Sequence, residues 1–189
     1  FSLLGPIVAE YLRLQPEVEL ELVCTDRRVD LVEERYDLAL RAGETPDSSL
    51  VARPLGSVRR VLVAAPSVVS RLGRIQQLSD LERSPCLAFA PEGNTWELTS
   101  GAKTAALDVR PRLTVNDYEM LCSVARSGFG IALVPDYLCA DDLAAGRLAR
   151  VLESWSEPEV PVFALYPSAR HLAPTVASFL ELLRERLAG

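Results

Sequence analysis

Apolar residues recur at helical spacing near the start of the chain. From Leu3 to Leu14 they follow the three- and four-residue steps of a helix with one buried face. Ser2 lies where a capping residue would begin that helix. Pro174 suits the first turn of a closing helix, which we predict to run to Leu187. The pattern predicts further helices over 27–35, 67–72, 117–127 and 140–145.

Two kinds of strand are predicted. Acidic and apolar residues alternate strictly from Glu17 to Leu22, which indicates a strand with one buried face at the edge of a sheet. Near-continuous apolar runs instead predict interior strands that helices cover on both faces, over 37–42, 61–65, 131–134 and 162–166. Because strands and helices alternate, we expect a three-layer α/β architecture in one or two lobes.

Two short motifs mark helix ends. Asn116 and Glu119 have the spacing of a capping box, with Asn116 as the N-cap of the helix that follows. Gly128-Phe129-Gly130 is similar to a dinucleotide fingerprint, but it ends a helix and opens a strand, in the reverse of the required order. We therefore predict that it is a helix C-cap.

Composition excludes several classes of protein. The chain has 189 residues, 49% of them hydrophobic, and its formal net charge is -6. An acidic domain does not hold DNA by itself, because phosphate binding needs concentrated lysine and arginine. The longest apolar runs are too short to span a bilayer and no targeting segment opens the chain, so we expect a cytoplasmic protein.

The four cysteines form no CxxC pair, and the chain has one histidine. A zinc site of usual spacing is therefore not expected, and we predict reduced, mostly buried thiols. A redox pair is the alternative. No catalytic constellation is present either, since His171 has no Gly-x-Ser-x-Gly elbow and the carboxylate pairs are adjacent in sequence, where helical side chains diverge. We expect neither an enzyme nor a cofactor.

A series of short motifs resembles LysR-type regulatory domains in order and spacing, over essentially the whole chain. They are Gly5-Pro6, Pro16 to Leu20, Asp26 to Glu34, Tyr36 to Gly43, Leu78 to Leu81, Ser84 to Leu87, Val115 to Asp117, Gly128 to Asp136, Gly146 to Leu148 and Tyr166 to Ser168. Each motif is weakly specific, and their joint order carries the resemblance.

The resemblance implies a two-lobed fold of the type 2 periplasmic-binding-protein class, with a small molecule in the cleft. Two crossover strands, 58–66 and 161–167, would join lobe I, at 1–61 and 163–189, to lobe II, at 62–162. In this family a strand directly precedes the segment equivalent to Phe1, and a DNA-binding helix-turn-helix lies farther upstream. We expect both to be absent from this chain, so that DNA contact depends on that other domain.

The resemblance also implies where the effector binds, and helix N-termini at these places suit a carboxylate. The candidate contacts are Ser2, Leu3, Thr25, Arg41, Trp96, Asn116, Asp117 and Pro135. Donors predominate among them, which favours a small organic acid gripped by Arg41. An inward-turned Asp26 or Asp117 would instead favour a neutral or cationic effector.

Two other function classes stay open. A solute receptor of a transport system would share the fold, and so would an enzyme built on it. The alternating strand at 17–24 and the first helix offer apolar surface of the kind that family members pair, so we predict a homodimer or a higher homo-oligomer.

Overall fold

The computed structural model describes residues 3–25, 27, 29–43, 50–73, 75–167 and 172–187. The chain divides into two compact units. The first unit combines residues up to Val58 with those from Val160 onward, and the second unit is Arg59–Glu159. The predicted lobe limits of 61/62 and 162/163 stay a prediction.

Five α-helices and ten strands are described. The helices are α1 (Leu4–Leu14), α2 (Pro66–Leu72), α3 (Tyr118–Arg126), α4 (Asp136–Ala144) and α5 (Pro174–Leu187). The strands are β1 (Ala39–Ala42), β2 (Leu50–Val58), β3 (Arg60–Ala64), β4 (Cys86–Phe89), β5 (Thr95–Ser100), β6 (Lys103–Asp108), β7 (Pro111–Val115), β8 (Ile131–Pro135), β9 (Ala149–Arg150) and β10 (Val160–Pro167). Two short 3-10 helices, Leu78–Arg83 and Ala90–Glu92, lie on either side of β4.

The first unit is built on a three-stranded antiparallel sheet in the order β1-β10-β2. Helices α1 and α5 supply most of its core. Tyr11 and Phe179 hold their ring centroids 4.8 Å apart, and the buried Tyr11 hydroxyl donates to the carbonyl of Thr175 at 2.6 Å. Gly56 has φ +149°, and a Cβ there would lie 2.5 Å from the carbonyl oxygen of Leu187. Only glycine allows this approach of α5 to β2.

The second unit contains a five-stranded mixed sheet in the order β7-β4-β8-β3-β9, with β5 and β6 paired as a hairpin. Strand β4 is parallel to β7 and to β8, whereas β3 is antiparallel to β8 and β9. Leu62 and Ala64 face one core cluster, and Val61 and Val63 face the other. Alternation along β3 thus fills two cores, which explains its continuous apolar run.

Helices α3 and α4 are joined by a charged network. Asp142 of α4, with 5% of its side chain exposed, accepts from Arg126 Nη1 and from Arg147 Nε, each at 2.5 Å. The backbone carbonyl of Asp142 also accepts the N–H groups of Arg147 and Leu148. One buried carboxylate therefore ties the C-terminal end of α3 to the end of α4.

Most of the periodic elements are confirmed. The first and last predicted helices correspond to α1 and α5, and three predicted interior strands correspond to β3, β8 and β10. The strand predicted over 37–42 corresponds to β1, but β1 lies at the edge of its described sheet. Gly128 has φ +82° and donates its N–H to the carbonyl of Ala125 at 3.0 Å, as predicted for a helix C-cap. Helix α4 begins at Asp136, four positions before the predicted start at Ala140.

The edge strand predicted from Glu17 to Leu22 is wrong. Val18 and Leu20 are half-buried against the core of the first unit and the alternating Glu17, Glu19 and Glu21 are exposed, so the alternation fixes the buried face. Within the described part of the first unit, however, no strand pairs with this segment. Alternation predicts burial, and a ladder needs a neighbour as well.

The helix predicted over 27–35 is wrong for another reason. Its described residues form one hydrogen-bonded turn, and Arg35 leaves it with φ +60°. The carboxylate of Asp30 accepts the N–H groups of Val32 and Glu33 at 2.9 and 3.0 Å. Asp30 thus caps this turn as it would cap a helix, and the left-handed conformation of Arg35 ends the turn before a helix propagates.

The buried thiols are confirmed for Cys86, Cys122 and Cys139, whereas Cys24 is exposed. Burial raises the pKa of Cys86 and Cys122 to about 12 and that of Cys139 to about 11. These three thiols therefore stay protonated at neutral pH.

The described residues contain neither a cluster of metal ligands nor a membrane-spanning helix. None of their His, Cys, Asp and Glu side chains group in threes as metal ligands would. No helix among them is long and apolar enough to cross a membrane.

Candidate functional site

The ends of several strands meet at one edge of the second unit's sheet. Because β4 runs parallel to β7 and β8, their last residues, Phe89, Val115 and Pro135, lie at the same edge. Strand β3 begins there, with Arg60 opposite Pro135. We call this the carboxyl edge. In open α/β sheets, ligands bind outside such an edge.

Arg60 is the centre of a polar network at the carboxyl edge. Its guanidinium forms ion pairs with the carboxylates of Glu92 and Glu157. It also donates to the hydroxyl of Tyr118 at 2.9 Å, and that hydroxyl donates to Glu92 Oε1 at 3.2 Å. The ring of Tyr118 stacks on Phe89 with centroids 3.9 Å apart and an interplanar angle of 12°. We refer to these five residues as the Arg60 network.

The members of the network differ in burial. The side chains of Arg60 and Glu157 are 16% and 9% exposed, whereas that of Glu92 is 42% exposed. Burial raises the pKa of Glu157, an effect that Arg60 opposes. Burial also raises the pKa of Tyr118, so its hydroxyl is neutral and keeps its proton to donate.

Helices α3 and α4 start at this edge with an aspartate each. The carboxylate of Asp117 accepts the N–H of Met120 at 2.6 Å, so Asp117 is the N-cap of α3 and the prediction of Asn116 as cap is wrong. Asp136 is the first residue of α4, and its carboxylate accepts the N–H of Tyr137 at 2.8 Å. One-residue shifts of this kind arise because Asn and Asp cap equally well.

Three of the predicted effector contacts lie at the carboxyl edge. Asn116 and Asp117 are exposed at the start of α3, and Pro135 is buried at the end of β8. Trp96 is only 5% exposed and packs in the core beside Leu98. Its position favours packing over ligand contact.

The other predicted contacts belong to the first unit. Leu3 is exposed just before α1, and the Thr25 hydroxyl accepts the N–H of Arg27 at 3.3 Å. Arg41 is half-buried on β1, opposite Phe163. Ser2 lies outside the described residues.

The Arg60 network was not predicted from the sequence. Its charged members come from the start of β3, the 3-10 helix Ala90–Glu92 and the segment before β10. Only Arg60 carried a signal, as the arginine that directly precedes the apolar run 61–65.

The family described as "LysR substrate binding domain" matches residues 1–188. The chain belongs to this family. Among curated proteins, the LysR domain is 34% identical over 186 residues to the HTH-type transcriptional regulator PtxR of Pseudomonas aeruginosa. The match covers 97% of this chain and 60% of PtxR. The chain thus spans about 60% of the length of the curated relatives it matches.

Solved structures of LysR-type regulatory domains have the same fold. The regulatory domain of CrgA from Neisseria meningitidis is 34% identical with a TM-score of 0.87, over 98% of this chain and 92% of that one. The regulatory domain of AphB from Vibrio vulnificus is 30% identical with a TM-score of 0.84, over 94% and 89%. The predicted fold class, the two-lobed periplasmic-binding-protein-like fold, is confirmed.

Proposed function

We propose that this LysR domain is the effector-sensing part of a cytoplasmic DNA-binding transcriptional regulator, and that its effector is a small organic acid. The observation that carries the proposal is the carboxyl edge, where polar side chains from four segments converge in a domain that matches transcriptional regulators over nearly its full length. Asn116, Asp117 and Pro135 are the proposed contacts at that edge.

The organic-acid part of the proposal rests on Arg41. A guanidinium binds a carboxylate in bidentate fashion, and Arg41 is a half-buried arginine on strand β1 of the first unit. Leu3 and Thr25 are the accompanying proposed contacts.

A thermal-shift panel tests the proposal. Small organic acids, their amides and the corresponding amines are added to the protein, since a ligand of the folded state raises the melting temperature by mass action. We expect stabilisation by acids that Arg41→Ala weakens and that Arg53→Ala, a change at an exposed arginine of β2, leaves unchanged. Stabilisation by amines or amides but by no acid would end the organic-acid proposal.

DNA contact is proposed to lie with another part of the regulator. The domain's net charge of -6 opposes phosphate binding. In a mobility-shift assay at physiological salt we expect no binding of an operator fragment. Salt-sensitive, sequence-specific binding by this chain would contradict that expectation.

Self-association is the remaining part of the proposal. Leu14 of α1 is 62% exposed, and Leu22 and Val23, in the segment without a strand partner, are about half exposed. We propose a homodimer in which these exposed apolar side chains are covered by the second copy. Light scattering should give a dimer mass that falls to a monomer mass in Leu14→Glu; a monomer of the unaltered protein at high concentration would contradict the proposal.

A further inference from the structure

The Arg60 network carries an excess of negative charge. One guanidinium faces two carboxylates, Glu92 and Glu157, and the neighbouring hydroxyl of Tyr118 is neutral. Glu97, another carboxylate, acts on Glu157 through its charge. Among the five residues of this network Arg60 is the one cation, so the network has one more negative charge than positive.

Burial separates a fixed ion pair from an accessible carboxylate. Arg60 and Glu157 are nearly enclosed, and the backbone N–H of Glu157 donates to the carbonyl of Arg60 at 3.1 Å, which holds the two segments together. Glu92 is exposed over 42% of its side chain and lies at the end of a short 3-10 helix. If Arg60 were lost as a partner, the carboxylate of Glu157 would stay buried without a counter-charge. Glu92 can instead exchange partners at its exposed face.

The helix starts at the same edge are already supplied with anions. The carboxylates of Asp117 and Asp136 accept backbone N–H groups of the first turns of α3 and α4. A ligand carboxylate placed there would meet these aspartates at short range, and like charges repel. The field at the carboxyl edge therefore favours a positive group on the ligand.

We infer that Glu92 is a specificity-determining residue that accepts a cationic nitrogen of the effector, which makes the effector an amino-bearing acid rather than a simple acid. This inference rests on the proposed function. Tyr118 orients Glu92 by donating to Oε1, and Arg60 stays paired with Glu157 while the ammonium group takes the exposed side of Glu92. The Phe89–Tyr118 stack forms an apolar wall beside the charge.

The test compares matched compounds that differ only in the ammonium group. The pairs are alanine against propionate, aspartate against succinate, glutamate against glutarate and norleucine against hexanoate, each titrated by calorimetry into the protein at neutral pH. We expect one amino-bearing compound to bind about tenfold more tightly than its parent acid, the gain of one charge-assisted hydrogen bond. Glu92→Gln should reduce that ratio to about one, because a neutral amide attracts an ammonium group weakly.

Glu82→Gln is the matched control, since Glu82 is an exposed glutamate of the same unit, on the 3-10 helix Leu78–Arg83. It should keep the tenfold ratio. Equal affinity for both compounds of every pair, or a ratio that survives Glu92→Gln, overturns the inference and leaves effector binding in place. Binding of no compound of the panel, acid or amino acid, contradicts the proposed function and the inference with it.

Discussion

The second unit contains two arginine–carboxylate networks of opposite proportion. Around Arg60, one guanidinium serves two carboxylates, and one of these, Glu92, is well exposed. Around Asp142, one buried carboxylate serves two guanidinium groups that are themselves partly exposed. Neither network is explained by counting ion pairs. The two networks differ in which charged group is buried and in which charged group stays exposed at the surface.

The difference teaches how a charged group is recognised as structural or functional. The carboxylate of Asp142 is buried and accepts from two arginines of the chain, so it joins two helices. The Arg60 network buries a similar pair but adds a carboxylate at a strand edge where ligands bind. We propose that the surplus group marks the functional site.

The largest effect is expected at the centre of the Arg60 network. Arg60→Ala leaves the carboxylate of Glu157 buried without a counter-charge, which costs about 3 kcal/mol of unfolding free energy. Urea denaturation measures it. The double variant Arg60→Met with Glu157→Met should recover most of the loss, because no charge is then left buried. A double variant as unstable as Arg60→Ala would show that the unpaired charge of Glu157 does not cause the loss of stability.

Asp142→Ala is expected to cost less, about 2 kcal/mol, because the arginines that lose their partner are partly exposed and can turn to water. Ligand binding should not change, since the network lies at the other end of α3 from the carboxyl edge. Asp141→Ala, at the exposed neighbouring carboxylate, is the control and should be nearly neutral. Equal losses at positions 141 and 142 would refute the structural assignment.

The N-cap of α3 gives a smaller effect. Asp117→Ala removes the acceptor of the Met120 N–H and should lower the unfolding free energy by about 1 kcal/mol. Asp117→Asn keeps an acceptor and should restore most of it. If the asparagine variant is as unstable as the alanine variant, capping is not what Asp117 contributes.

The smallest effects are expected in the pH dependence of folding stability. The change of stability with pH should have opposite signs for Asp142 and for Glu157. Burial raises the pKa of Asp142, but the hydrogen bonds of Arg126 and Arg147 outweigh it and hold the pKa below its usual 3.8. Its contribution is present above the unfolded pKa and is lost as the pH falls through the lower folded value. The stability gap between the unaltered protein and Asp142→Asn should therefore narrow in acid.

Glu157 has a raised pKa, so its effect on stability has the opposite pH dependence to that of Asp142. Its protonated form is favoured in the folded state, and stability is gained as the pH falls from above the folded pKa toward the ordinary value of 4.5. Relative to Glu157→Gln, the unaltered protein should become more stable over that range. Urea denaturation at several pH values checks both slopes, and slopes of the same sign would contradict the comparison.

Local patterns account for the parts of the fold that the sequence predicted. Helices α1 and α5 and the interior strands β3 and β8 have a regular periodicity that needs no distant information. Strand β2 was missed because Pro54 and Gly56 interrupt it and its burial is irregular. The segment 17–22 shows the converse, a regular pattern that pairs with no strand among the described residues.

The site was predictable only in part, for a related reason. Asn116, Asp117 and Pro135 lie where elements start or end, and such positions can be found from local signals. Arg60, Glu92 and Glu157 are separated by tens of residues and meet only through the order of strands in the sheet. That order depends on long-range pairing, which periodicity does not reveal.

Amide chemical-shift mapping tests the central claim, that the carboxyl edge of the second unit binds the effector. The most stabilising compound of the panels is titrated into isotopically labelled protein, and its effect on each backbone amide is recorded. We expect the largest shifts at Phe89 to Glu92, at Val115 to Tyr118 and at Asp136, with amides around Asp142 and Arg147 unchanged. Saturable binding without chemical-shift changes at the carboxyl edge would contradict the claim that the effector binds there.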